Sequence, residues 1–231
     1  MTGSLSSYAV IPARGGSKGI PGKNLKTVGG VPLVARAVGA ARSARVGGVA
    51  VSTDDAAIAA AALAAGAEVI ERPAALSVDT ASSEAALLHA LDWLAAAGRE
   101  PQVLVFLQCT SPFVDAACVD AVLNAVTEGG FDAAFSATPD HGFLWRLGAG
   151  GIAEGTNHDH TKPRERRQDR AAQYRENGAV YAMRSTAFRA ERTRFCGRVT
   201  LVASTMPAVE IDAPEDLAIA EALLASGRPV R

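Results

Sequence analysis

Apolar runs alternate with stretches of helical period through the first 140 residues of the chain. YAVIPA (8–13), GVAVST (48–53), AEVIER (67–72), VLVFLQC (103–109) and FDAAFSAT (131–138) read as strands, the fourth being the most strongly apolar. Between them PLVARAVGAARSA (32–44), DDAAIAAAALAAG (54–66), SEAALLHALDWLAAAG (83–98) and residues 115–128 read as helices, the third with apolar positions at 87, 88, 91 and 94. Asp54 or Asp55 is placed to cap the second helix, and Gly66 lies just past its end. Strands alternating with helices predict an α/β fold, a doubly wound and mostly parallel sheet with right-handed crossovers and helices on both faces.

The pattern breaks after Pro139. From there to Glu176 the chain is rich in Gly, His, Arg and Asp, and its centre, TKPRERRQDRAAQYREN (161–177), is strongly basic. Regularity returns with strands at NGAVYAM (177–183) and VTLVAS (199–204). VEIDAPEDLAIAEALLASG (209–227) then reads as a strand end, an acidic turn and an amphipathic helix with Pro214 in its first turn. The chain is therefore expected to be a single domain, residues 1–231, with 139–176 as an insertion. Doubly wound sheets bind ligands at the carboxyl ends of their strands, so an insertion there is placed to close over a site or to reach a second subunit.

Charge and cysteine content narrow the classes. With 23 Lys and Arg against 24 Asp and Glu, the net charge of −1 argues against a general nucleic-acid binder, and the cations must act locally. Cys109, Cys118 and Cys196 show neither a disulfide framework nor metal-ligand spacing and read as reduced thiols. MTGSLSSYAVIPAR lacks the charged and apolar regions of a signal peptide, and no run approaches the length of a membrane span. A soluble cytoplasmic protein is the expectation.

The candidate chemistry concentrates in IPARGGSKGIPGKN (11–24). Glycines stand at 15, 16, 19 and 22, with Arg14, Lys18 and Lys23 among them; lysine occurs elsewhere only at 26 and 162. Loop amides and three cations suit a polyphosphate. A Walker A loop would need glycine at Ser17 and a hydroxyl at Asn24, and a G-x-G-x-x-G fingerprint would need glycine at Arg14. The loop is a distinct phosphate motif, in which Pro21 stiffens the return and fixes Lys23 and Asn24.

IPARGGSKGIPGKN resembles the signature of the acylneuraminate cytidylyltransferases (CMP-sialic acid synthetases) and their CMP-sugar-acid relatives. The likeness continues in order through VSTDD (51–55), ERPAALSVDTASS (71–83), LQCTSPF (107–113), RRQD and YRENGAVY (166–181) and EIDAPEDLAIAE (210–221). It implies a Rossmann-like nucleotidyltransferase fold, a homodimer, and an enzyme using CTP and Mg²⁺ to join CMP to the anomeric hydroxyl of an α-keto sugar acid. Carried over residue by residue, it implies nucleotide binding by Arg14, Asn24, Arg72 and Ser83, beside Ser17, Lys18 and Lys23. Arg72 and Ser83 would lie near the cytosine. Gln108, Arg167, Asn177 and Tyr181 match acceptor positions, with Phe195 as an apolar contact, and the Arg167 fork suits the acceptor's carboxylate. Glu210 and Asp212, read as two carboxylates on one side of a strand, would hold the metal, and Arg14, Lys23 and Asp212 are the catalytic candidates.

Each residue also has a plainer reading. Ser83 would serve as an N-cap, Arg72 as a solvated strand end, Asp212 as a cap before Pro214, and Arg164–Arg175 as a solvated face. His158 and His160 read as exposed histidines rather than a metal pair. Three departures from the family pattern stand out: Glu210 where Asp is usual, Cys109 in place of a proline and Val114 in place of an arginine. The alternatives are another base, an eight-carbon keto sugar acid or other activated acid as acceptor, or a catalytically silent nucleotide-binding protein.

Overall fold

The computed structural model describes residues 5–17 and 19–227. Five strands, β1 (Ser7–Pro12), the short β2 (Thr27–Val28) and β3 (Val31–Pro32), β4 (Val49–Thr53) and β5 (Glu68–Glu71), are interleaved with α1 (Leu33–Ser43) and α2 (Ala56–Ala64). Next come α3 (Ser83–Ala96), β6 (Val103–Leu107), α4 (Ala116–Thr127), β7 (Ala133–Asp140) and a small antiparallel pair, β8 (Trp145–Leu147) and β9 (Ala153–Gly155). The chain closes with β10 (Gln173–Arg184), α5 (Ser185–Glu191), β11 (Val199–Ala203) and α6 (Pro214–Ser226). The main sheet has the order β11-β7-β10-β6-β1-β4-β5.

β1 pairs in parallel with β4 and β6, β4 with β5, and β11 with β7, as the alternation of strands and helices predicts. Within the main sheet only β10 runs antiparallel to its neighbours, β6 and β7. Alternate residues of the central strands enter separate cores. Ala9 and Ile11 of β1, with Val103, Val105 and Leu107 of β6, pack with α1, α2 and α4, while Tyr8, Val10, Leu104 and Phe106 pack with α3 and α5. Burial on both faces is why these runs show no polar alternation.

The polar stretch after Pro139 is more regular than its composition suggests. β7 extends through Asp140, β8 and β9 form a hairpin, and β10 starts at Gln173, four residues before the expected strand. A register shift between Glu176 and Tyr181, with Gly178 at φ 69°, divides β10 into an outer half on β7 and an inner half between β6 and β7. The β2–β3 pair and α5 are additions that the apolar pattern did not announce. Among the described residues no helix is long and apolar enough to cross a membrane.

Parallel strands put their carboxyl ends along one edge, and the caps there fix the connecting turns. Asp55 caps α2, accepting from the N–H groups of Ala57 and Ile58 at 2.8 and 2.9 Å, while Asp54 turns to the Gly15 N–H at 3.0 Å. Ser82, not Ser83, caps α3 through the Ala85 N–H. Asp216 accepts from the N–H groups of Asp212 and Ala213, so Asp212 is not the cap of α6.

At the opposite margin, Glu68 ties the edge strand β5 to the end of α3. Arg99 donates to its two carboxylate oxygens at 2.8 and 2.9 Å, and the Tyr8 hydroxyl also donates to it. The Arg99 bonds, then Tyr8, hold the Glu68 carboxyl below its ordinary pKa, while burial and then Glu68 push Tyr8 up to about 12. A depressed folded-state pKa stabilises the fold above the unfolded value and loses that contribution as pH falls through the folded one. The difference in melting temperature between wild type and Glu68→Gln should therefore be full at neutral pH. It should shrink once the pH drops below the usual carboxylate value of about 4.3. A gap that stays constant in thermal melts down to the acid limit would show that the ion pair contributes nothing.

Candidate active site

An open cavity of about 510 Å³ lies at the carboxyl edge formed by β1, β4, β5 and β6. Five stretches far apart in sequence build its four walls.

The loop after β1 is the first. Arg14 Nη1 contacts Asp79 Oδ1 at 2.7 Å, and the buried Asn24 donates from Nδ2 to the Arg14 carbonyl at 2.9 Å, holding that turn. The N–H of Gly15 is given to Asp54 and that of Ser17 to the Gly15 carbonyl. Among the described residues the N–H groups of Gly16 and Gly19 carry no hydrogen bond and are available to an anion. Gly19 must be glycine, because a Cβ there would lie 2.5 Å from the Asp212 carbonyl oxygen. Ser17 and Lys23 line the cavity with Arg14 and Asn24, and Lys18 lies outside the described residues.

The second wall follows β5. Arg72 is 6% exposed, so it is not a solvated strand end. Its Nη2 donates to the Ser52 carbonyl at 2.6 Å and its Nε to Ser52 Oγ at 3.2 Å. Burial lowers its pKa, with the Asp54 charge opposing and that of Arg14 adding to the shift. Ser83, the first residue of α3, lines the cavity and has no capping duty.

The third wall joins the end of β6 to the acidic turn. Residues 209–212 form no strand; the fully buried Ile211 anchors them, donating its N–H to the Thr110 carbonyl at 2.9 Å. Glu210 and Asp212 flank Ile211 and both line the cavity. Gln108 Nε2 and Thr110 Oγ1 donate to Glu210 Oε1, and Lys23 Nζ lies 2.9 Å from Asp212 Oδ1. Burial, then the Asp212 charge, pushes the Glu210 pKa upward.

The fourth wall is one that sequence reading missed. Arg194 lines the cavity, donating from Nε to Glu84 Oε1 at 2.7 Å with its guanidinium over Phe106 and Tyr181. No motif or period marks it; the adjacent Phe195 is the only local signal. Thr110 and Asp79 were likewise unmarked, though both lie within blocks that resemble the family signature.

Four sequence candidates do not line this cavity. Arg167 sits on an exposed 3₁₀ turn, Arg167–Asp169. Asn177 is held by the Ser136 hydroxyl, which donates to Oδ1 at 2.7 Å, and by the Ala179 N–H. Tyr181 is buried behind the wall, stacked on Phe106 at 5.2 Å, and its hydroxyl donates to Glu176. Phe195, half exposed, meets Phe135 edge-on at 5.3 Å. His158 and His160 pack on Trp145 in a separate cavity of about 230 Å³ at the β8–β9 hairpin.

A family profile described as cytidylyltransferase matches residues 8–224. N-acylneuraminate cytidylyltransferase A of Danio rerio is 38% identical over 176 residues, 75% of this chain and 40% of that protein. A 3-deoxy-manno-octulosonate cytidylyltransferase of Anaeromyxobacter sp. is 40% identical over 132 residues, 56% of this chain and 50% of its own length. The chain thus spans half or less of the length of these curated relatives. A solved structure of CMP:2-keto-3-deoxy-manno-octonic acid synthetase complexed with CTP superposes with a TM-score of 0.67 over 96% of this chain and 100% of that one. At 22% identity that likeness concerns the fold alone. Because the profile runs through every wall of the cavity, from the phosphate loop to the acidic turn, the chain belongs to the cytidylyltransferase family.

Proposed function

We propose that this chain is an enzyme transferring CMP from CTP to the anomeric hydroxyl of an α-keto sugar acid, a sialic acid or related nonulosonic acid, with release of pyrophosphate. One observation carries the reading: a single cavity holds Arg14 and Lys23 on the phosphate side and the Glu210–Asp212 pair across from them, bridged by the Lys23–Asp212 contact at 2.9 Å. The acceptor hydroxyl attacks the α-phosphorus in line. A phosphorus–oxygen bond to the sugar forms as the hydroxyl gives up its proton to water, the bond to the bridging oxygen of the β-phosphate breaks, and its electrons leave with pyrophosphate. The barrier falls mainly through positioning and charge neutralisation.

The chain's own groups divide this work. Arg14, Lys23 and the Gly16 and Gly19 amides face the triphosphate, with Ser17 and Lys18 in the same loop. Lys23 exchanges Asp212 for phosphate oxygen when CTP enters, which couples nucleotide binding to release of that carboxylate. Asn24 acts by holding the Arg14 carbonyl, and Arg72 and Ser83 are assigned to the cytosine end. Gln108 is oriented toward the acceptor by Glu210 and Thr110.

Glu210 and Asp212 fit a magnesium ion. They project from one short segment into the cavity, and the only cation paired with either among the described residues is the exchangeable Lys23. Two carboxylates plus substrate phosphates are a donor set that Mg²⁺ favours. Magnesium bound there supplies Lewis-acid neutralisation of the phosphate charge.

Arg167 is assigned a second cation's role toward the acceptor, delivered across a homodimer interface formed by the 139–176 insertion. Support comes from its exposed turn outside the cavity and from Leu144, Trp145, Leu147 and Ile152, all exposed on or beside the β8–β9 hairpin. Asn177, Tyr181 and Phe195 support that end from behind. Three unpaired cysteines suit a reducing cytoplasm.

Crossing the four ribonucleoside triphosphates with a panel of nine- and eight-carbon keto sugar acids in a pyrophosphate-release assay tests the reaction. CTP with Mg²⁺ should support turnover and EDTA should abolish it. GTP matching CTP would overturn the cytidine assignment, and indifference to chelation would overturn the metal site.

Asp212→Asn keeps the shape of the turn and leaves the Asp216 cap intact. Its kcat should fall roughly 10²-fold or more, the scale of ~3 kcal/mol of transition-state charge contact, with the melting temperature nearly unchanged. Glu210→Gln should lose less. Wild-type kcat in Asp212→Asn would remove this turn from the chemistry.

Arg167→Ala should raise the acceptor KM or lower kcat/KM by roughly 10²-fold while CTP affinity stays near normal. Mixing Arg167→Ala with Asp212→Asn subunits decides how the residue arrives. Recovered activity in the hybrid means delivery from a second copy, because one site then holds both native residues. Absence of recovery means closure within one chain.

A further inference from the structure

One cavity guanidinium has no part in the chemistry assigned so far. The Arg194 side chain is 18% exposed, and three groups fix its plane. Nε donates to Glu84 Oε1 at 2.7 Å, and the guanidinium carbon lies 4.8 Å from the Tyr181 ring centroid and 5.1 Å from that of Phe106. Stacking on aromatic faces with one edge tied to a carboxylate pre-organises the fork, so little rotamer freedom is lost when a ligand binds.

The Tyr181 hydroxyl is the other polar partner of the guanidinium besides Glu84. The residue lines the cavity with its side chain partly exposed, and a guanidinium has five N–H donors, more than these two contacts use. Two parallel N–H donors match a carboxylate better than a single phosphate oxygen.

Position separates Arg194 from the triphosphate wall. The ring under it, Phe106, is two residues before Gln108, at the acceptor end. Arg14 contacts Asp79 in the loop after β5, whereas the Arg194 guanidinium lies against Glu84, Phe106 and Tyr181. Glu84 adjoins Ser83 at the start of α3, so the pair stands where the nucleotide and acceptor halves meet.

We propose that Arg194 is an acceptor-specificity residue whose Nη pair clamps the carboxylate of the keto sugar acid, with Glu84 as its positioning partner. The assignment rests on the reading that this chain transfers CMP to such an acid. Arg167 would add a second cation from outside the cavity; Arg194 is already in place within it.

The test compares wild type, Arg194→Gln, Arg194→Lys and Glu84→Gln, using CTP and the best acceptor from the screen as its free acid and as its carboxamide. Calorimetry supplies the CTP affinity, and thermal melts confirm folding. Arg194→Gln should raise KM for the acid roughly 10²-fold yet leave KM for the carboxamide nearly unchanged, collapsing the acid preference. CTP affinity should stay within about threefold of wild type, as uniform retention of ground-state nucleotide binding requires. Arg194→Lys keeps the charge and its contact with Glu84 but loses the fork, so it should recover only part of the acid preference. It carries the same comparison if the glutamine variant does not fold. Glu84→Gln should fall between wild type and Arg194→Gln. An unchanged acid-to-carboxamide ratio, or a loss of CTP affinity with the acceptor KM intact, overturns the proposal and gives Arg194 to structure or to the phosphates. Wild type that turns over no keto sugar acid overturns the underlying reading instead, and the Arg194 assignment falls with it.

Discussion

Ile211 is wholly buried, and its N–H is donated to the Thr110 carbonyl just past β6. That attachment brings the segment before α6 across the carboxyl edge of the sheet. Gly19 meets the Asp212 carbonyl there at a distance no side chain would tolerate. Two loops almost two hundred residues apart are thereby locked against each other, and the space between them is the cavity. The register is held from the other side by Asp216, which takes the N–H groups of Asp212 and Ala213. Asp216 thus caps the helix, and the Asp212 carboxylate remains directed at Lys23.

The charges of the site are largely matched at rest. Arg14 faces Asp79, Lys23 faces Asp212 and Arg194 faces Glu84. Lys23 and Asp212 are a partly solvated pair that a polyanion can separate. Arg72 differs: it is buried, donates to Ser52 alone, and among the described residues has no ion pair. A buried guanidinium with no carboxylate in contact is costly, so a ligand supplying oxygen acceptors there would be favoured.

The aromatic and guanidinium cluster is assembled from distant elements. Phe106 comes from the central strand with Gln108 just past its end, Tyr181 from the one reversed strand, and Arg194 from the loop after α5. The rings of Phe106 and Tyr181 stack 5.2 Å apart and form the floor on which the Arg194 guanidinium lies. A change in any of the three would be felt by the other two, so on the proposed assignment acceptor preference would belong to the cluster.

The sequence alone determined the layers, the phosphate loop and the ordered blocks, because burial and turn geometry are written in local residue types. Apolar runs without polar alternation demand strands covered on both faces, and glycines among cations demand a backbone that approaches an anion. Strand direction has no such local record: VYAM reads the same whichever way it runs, and only pairing with β6 and β7 reverses β10. Asp212 read as the cap before Pro214, but it is Asp216 that takes the N–H groups of Asp212 and Ala213. Arg167 carried a family position yet lies outside its own cavity, while Arg194, with no motif, lies inside. Its contact with Glu84 spans 110 residues of sequence. A pair so distant is created by the closure of α3 and α5 over one face of the sheet, and no window of the chain contains it.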